Sequence, residues 1–136
     1  MNCEEVRTLS DAGMTIGAHT MHHPILSQCS DECAEAEIAG SRRELQSAVG
    51  QEIWALAYPF GDAGSVTERE LILAKSANFD CAFMNMGGGF GASLPTFALP
   101  LVHVTADMKL GEFEAHASGF YRSLHRSSNP VAGAST

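Results

Sequence analysis

An α/β fold with parallel strands is what this sequence predicts, and three observations predict it. Short apolar runs alternate with longer amphipathic stretches in the order helix, strand, helix, strand, helix, strand, strand, helix. The runs at 53–58 and 81–84 are apolar without alternation, as strands covered on both faces are. Two runs stop abruptly in residues that carry chemistry, His19-Thr20-Met21-His22-His23-Pro24 and Tyr58-Pro59-Phe60-Gly61-Asp62. In α/β folds functional residues gather at the carboxyl ends of parallel strands.

The first helix is expected over residues 2–12, where Val6, Leu9 and Ala12 recur at helical spacing and Gly13 follows as a stop. Met14 to His19 is short and apolar and reads as a buried strand entering the histidine loop; Pro24 to Ser27 then carries the chain over the surface. Ser30 or Asp31 caps a second helix with Glu32, Glu35 and Glu37 toward its positive end. Ala34, Ile38, Leu45 and Val49 form its buried face, Gly50 closes it, and its charges read as a solvated face. Ile53 to Tyr58 is the next strand.

Thr67 with Glu70 forms a capping box for a third helix that buries Leu71, Ala74 and Ala77 and ends near Asn78. Cys81 to Met84 is a further strand. The loop Gly87-Gly88-Gly89-Phe90-Gly91 lacks the Lys-Ser/Thr of a phosphate loop. Thr96 to Thr105 holds a strand interrupted at Pro100, with His103 the exception among Leu101, Val102 and Val104. A last helix runs from about Leu110 to His125, burying Phe113, Ala117 and Phe120 or Tyr121, and the polar residues 127–136 read as a flexible tail.

Composition narrows the partners. A chain of 136 residues, 45% hydrophobic and 18% charged, has material for one core. Sixteen acidic against eight basic side chains, a formal charge of -8, disfavour a nucleic-acid or anionic-lipid surface. No run approaches a membrane span and the first residues show no basic-then-apolar leader, so the expectation is a cytoplasmic chain with no membrane partner. Cys3, Cys29, Cys33 and Cys81 form neither a C-x-x-C pair nor a regular ladder, and read as thiols of a reducing compartment.

Imidazole is the commonest metal ligand among side chains, and zinc sites recruit it readily. His19 and His23 are four apart, a spacing that would share a helix face. Pro24, however, pushes His23 toward extended backbone, so a strand ending in a ligand loop fits better.

Taken with Pro24, this stretch resembles the His-[Ser/Thr]-x-x-His-Pro metal-binding motif of the polysaccharide deacetylases, the NodB homology domain of carbohydrate esterase family 4. Tyr58-Pro59-Phe60-Gly61-Asp62 resembles the family's third motif, in a form typical of the branch acting on poly-N-acetylglucosamine and related polymers. Asn78 to Phe83 is similar to a segment where the family often has Gly-Tyr-x-x-Ala-Phe, and Leu99 to Val104 resembles the last barrel strand. The match runs over roughly residues 1–105 in the family's order, and the joint pattern is far more specific than either motif alone.

The resemblance implies a partial (β/α) barrel over residues 1–126, missing its opening strands, and a metal-dependent hydrolase that removes acetyl groups from N- or O-acetylated carbohydrate. An amide carbonyl is a poor electrophile and water a poor nucleophile, and a Lewis-acid cation addresses both. By the resemblance His19 and His23 supply two ligands of a divalent metal ion, zinc first among the candidates. Thr20 would orient the loop by side-chain to backbone hydrogen bonds.

The Phe60 N-H would stabilise the oxyanion, a main-chain role that tolerates Phe in place of Tyr. Tyr58, Pro59, Phe60 and Asp62 would line the sugar groove, with a buried strand end as the other role for Tyr58. His103 is the candidate general acid. Two departures stand out: the chain has no Asp-Asp pair, the family's base and third ligand, and Leu101 stands where this branch commonly has arginine. They keep two other readings open, an inactive remnant that binds glycan or metal, and a half-barrel completed by self-association, with Asp62 or Asp80 of a second copy in the metal site. Open sheet edges favour such a homo-oligomer.

Overall fold

A computed structural model of the chain describes residues 1–85 and 94–118. Among the described residues the elements run α1 (Cys3–Asp11), a 3-10 turn (Leu26–Gln28), α2 (Asp31–Val49), β1 (Ala55–Ala57), α3 (Glu68–Ser76), β2 (Cys81–Met84), β3 (Leu99–Pro100) and α4 (Leu110–Ala117). The three strands form a parallel sheet in the order β1-β2-β3, with Ala55 opposite Cys81 and Phe83 opposite Leu99. Helix α3 is the crossover between β1 and β2, as the alternation of apolar runs predicts.

Local chemistry sets the helix ends. Asn2 and Glu5 exchange side-chain to backbone hydrogen bonds at the start of α1. The Ser30 hydroxyl accepts from the Cys33 N-H at the start of α2, and Gly50 ends that helix in left-handed backbone, φ 71°. Thr67 and Glu70 make the expected capping box at α3. Ala34 and Ile38 of α2, Leu56 of β1, Ala74 of α3 and Ala82 of β2 are fully buried, so the core lies where α2 and α3 meet the sheet.

Several expectations are corrected. Met14 to His19 is not a buried strand: Met14 and Thr15 are exposed, Gly17 has no side chain to bury, and only Ala18 pairs, in a single parallel bridge with Leu56. Residues 24–27 do not simply cross the surface, because Leu26 plugs the core from the 3-10 turn. The strand expected over 96–105 shrinks to Leu99–Pro100, because its partner β2 ends at Met84, whose carbonyl accepts from the Leu101 N-H at 2.8 Å. Helix α4 buries none of its described residues, and Phe113 is 42% exposed.

The glycine-rich loop at 87–91, Phe120, Tyr121, His125, the boundary at 126 and the tail at 127–136 lie outside the described residues. Among the described residues no helix is long and apolar enough to cross a membrane.

Candidate functional site

The parallel sheet brings both punctuated segments to one end. Ala18 is bonded into the edge of β1 through Ala18 N-H to Ala55 O and Ala57 N-H to Ala18 O, both 2.9 Å. His19 therefore leaves the sheet beside the carboxyl end of β1, from which Tyr58 to Asp62 also emerge. The His19 and His23 rings meet edge to face with centroids 4.8 Å apart, and the His23 ring meets the Phe60 ring in the same way at 4.9 Å. All three side chains are exposed, so the corner is open to solvent.

His19 Nδ1 lies 2.7 Å from the Ala57 carbonyl oxygen. A carbonyl only accepts, so Nδ1 carries the proton in this bond and Nε2 keeps the lone pair that can serve as a donor to a cation. The loop is shaped by its own hydroxyl, since Thr20 Oγ1 accepts from the His23 N-H at 3.1 Å. This closed turn puts His23 at φ 58°, not in the extended backbone that the following proline favours. Four described non-glycine residues have positive φ, and three of them, Thr20, His23 and Phe60, lie in this corner. Strained backbone of this kind clusters at functional sites.

The turn after β1 is tight. Gly61 N-H donates to the Pro59 carbonyl at 2.6 Å across Phe60, whose φ is 62°, which makes a γ-turn at Phe60. Among the described residues the Phe60 N-H makes no backbone hydrogen bond, so it remains a donor. Gly61 is required here: its φ is 69°, and a Cβ would fall 2.6 Å from the Asn85 nitrogen. Phe60 is 50% exposed, whereas Tyr58 is 3% exposed and donates from its hydroxyl to the Phe97 carbonyl. Burial, and then the charge of Glu70, push the Tyr58 phenol well above its ordinary value.

Pro59 is fully buried. Tyr58 and Pro59 thus form the packed base of the turn, with Phe60 and Asp62 as its exposed face. The Asp62 carboxylate accepts from the Gly64 and Ser65 N-H groups, each 2.8 Å, and these bonds hold it below the ordinary carboxylate value. His103 does not lie in a strand; it is exposed, three residues beyond the carboxyl end of β3, and makes no hydrogen bond or ring contact with a described residue. Asp80 precedes β2, at the opposite end of the sheet from the histidines.

One residue was misread. Glu37 does not join the solvated face of α2; it is 8% exposed and bonds to the loop between the two histidines. The signal was its position, three residues after Ala34 and one before Ile38, on the buried stripe itself.

The family model described as polysaccharide deacetylase matches residues 1–82, more than half of the chain. The chain belongs to the polysaccharide deacetylase family. Among solved structures, the Streptococcus pyogenes deacetylase PplD in complex with acetate is 21% identical with a TM-score of 0.75, covering 85% of this chain and 50% of that one. A Bacillus cereus polysaccharide deacetylase is 22% identical with a TM-score of 0.74, covering 85% and 36%. A family 4 carbohydrate esterase from Streptomyces lividans, in complex with acetate, is 20% identical with a TM-score of 0.56, covering 63% and 43%.

At these identities the likeness is one of fold, a partial α/β barrel, and the chain spans half or less of the length of these structures. No curated protein matches it.

Polysaccharide deacetylases are generally metal-dependent, and this chain offers part of a donor set for a divalent ion. Nε2 of His19 and the adjoining His23 ring fit as two donors. Among the described residues no third His, Cys, Asp or Glu joins them. The residues fit two positions of a tetrahedral site, and a hydrolytic zinc site takes three protein ligands and an open position.

Proposed function

We propose that this chain is a metal-dependent hydrolase that removes acetyl groups from N- or O-acetylated carbohydrate. The observation that carries the reading is the single corner in which His19, His23 and the turn at Phe60 touch. His19, through Nε2, and His23 hold a divalent cation, zinc first because two imidazoles suit it. The third position is left to a carboxylate of a second copy, since residues 86–93 and 119–136 contain no Asp or Glu. When bound, the cation polarises the acetyl carbonyl and makes water a competent nucleophile near neutral pH.

The chain's own groups do the rest. The Phe60 N-H, which makes no backbone hydrogen bond among the described residues, donates to the developing oxyanion, where a preorganised main-chain dipole is most effective. The exposed Phe60 ring and Asp62 face the sugar, while Tyr58 and Pro59 keep the groove wall rigid from beneath. His103, leaving the sheet at the same end, hands a proton to the departing amine or alcohol.

The two-donor set also favours a catalytically inactive chain that binds glycan or metal, as distinct from a half-barrel whose metal site a second copy completes. Acetate release decides between them. Acetylated chito-oligosaccharides and acetyl-xylan, incubated with the chain at saturating zinc, should yield acetate, and His19→Ala should not. Glycan or zinc binding with no acetate from either substrate would replace the hydrolase reading with the binding one.

A further inference from the structure

We infer that Glu37 is the positioning residue that sets the shape of the histidine corner, and through it the affinity of the His19 and His23 pair for a divalent cation; the second half rests on the ion-site reading above. Glu37 projects from α2, and its carboxylate takes three hydrogen bonds from the segment between the two histidines. Oε2 accepts from the Met21 N-H at 2.9 Å and the His22 N-H at 2.8 Å, and Oε1 accepts from His22 Nδ1 at 2.7 Å.

The loop ends on either side, Thr20 and His23, are the residues in left-handed backbone. The carboxylate therefore grips the middle of a segment whose two ends resist their conformation. One turn further along α2, Gly40 leaves the notch that receives Met21, for a Cβ there would meet Met21 Cγ at 3.2 Å.

The choice of residue is informative. Glu37 occupies the apolar stripe of α2, between Ala34 and Ile38, where an aliphatic side chain would satisfy helix packing without desolvating a charge. Charge-assisted bonds to two main-chain N-H groups and one ring N-H offset that desolvation. Glu37 makes no hydrogen bond or ion pair with His19 or His23, so it acts through the segment between them.

The test uses the 136-residue chain with Glu37→Leu, Glu37→Ala, Glu37→Gln and His22→Ala. Without metal, amide hydrogen exchange at Met21 and His22 and the nuclear Overhauser effect between the His19 and His23 rings report loop shape; zinc titration calorimetry reports affinity. In Glu37→Leu, whose side chain suits the stripe and keeps the fold, exchange at both amides should rise about 5- to 30-fold and the ring contact should vanish. Zinc affinity should fall roughly 10- to 100-fold, the range that loss of the support behind metal ligands produces. Glu37→Gln keeps an oxygen for the two amides and should recover most of the affinity, and His22→Ala should stay near wild type.

Unchanged exchange and an intact ring contact in Glu37→Leu and Glu37→Ala overturn the inference. It also fails if neither apolar variant folds, because the carboxylate is then a folding element. Zinc that binds wild type no tighter than His19→Ala sinks the ion-site reading instead, and leaves the metal-free measurements to judge Glu37.

Discussion

His19 Nδ1 donates to the carbonyl oxygen of Ala57 across 2.7 Å, joining the histidine segment to the last residue of β1. The bond fixes ring orientation and tautomer together, before any cation arrives. A site prepared this way loses little conformational freedom on binding.

His19→Ala and His23→Ala should each abolish a zinc stoichiometry of about one per chain while leaving the far-ultraviolet circular dichroism unchanged, because both rings are exposed. Zinc at 100 times its dissociation constant should stabilise the wild type by about 2.7 kcal/mol, reversed by a chelator. Neither variant should show this rise in thermal denaturation.

Gly61→Ala should destabilise the chain by about 2–4 kcal/mol, combining a left-handed backbone with an overpacked contact. The cause is its φ of 69° and the 2.6 Å approach of a Cβ to the Asn85 nitrogen. Urea unfolding measures the loss; a change below about 0.5 kcal/mol would contradict the turn geometry.

Tyr58→Phe removes one hydrogen bond, to Phe97, and should cost about 0.5–1.5 kcal/mol with acetate release nearly unchanged. Because burial and Glu70 raise the phenol above 10.0, wild-type stability falls as pH climbs past that value. The alkaline decline should be shallower in Tyr58→Phe. Phe60→Ala, which keeps the N-H, should raise KM more than it lowers kcat.

Glu70 is completely buried, and although burial opposes its ionisation, hydrogen bonds from the Thr67 hydroxyl and N-H and from Arg69 hold its carboxyl below 4.5. A depressed carboxyl contributes stability above its unfolded value and loses it as pH falls through the folded one. Unfolding free energy should therefore drop below about pH 4.5. Glu70→Gln should cost about 1–3 kcal/mol at neutral pH and flatten that acid limb.

Much of the framework was legible because it is written locally. Asn78 after α3, the Thr67 and Glu70 box, Ser30 and Gly50 around α2, and the run Cys81 to Met84 each carry their own start or stop signal. The contact of the two imidazoles with the turn at Phe60 followed from placing both segments at one end of a parallel sheet. What stayed hidden depends on neighbours distant in sequence. Leu26 is buried by elements that follow it, Met14 to Ala18 has the composition of a strand but joins the sheet only through Ala18, and the run after Leu99 that hydropathy extends outlasts its partner β2. Glu37 was legible in principle, as a carboxylate on an aliphatic stripe, but charge near a helix start is ordinarily explained by the dipole.

Thr20, His23 and Phe60 all hold side-chain-bearing residues in a backbone region that glycine enters freely. Heat selection applied to this protein without demand for catalysis should accordingly erode the corner first. Survivors carrying glycine or asparagine at these three positions would tolerate higher temperatures yet capture zinc less well, a trade recorded in the lineage itself.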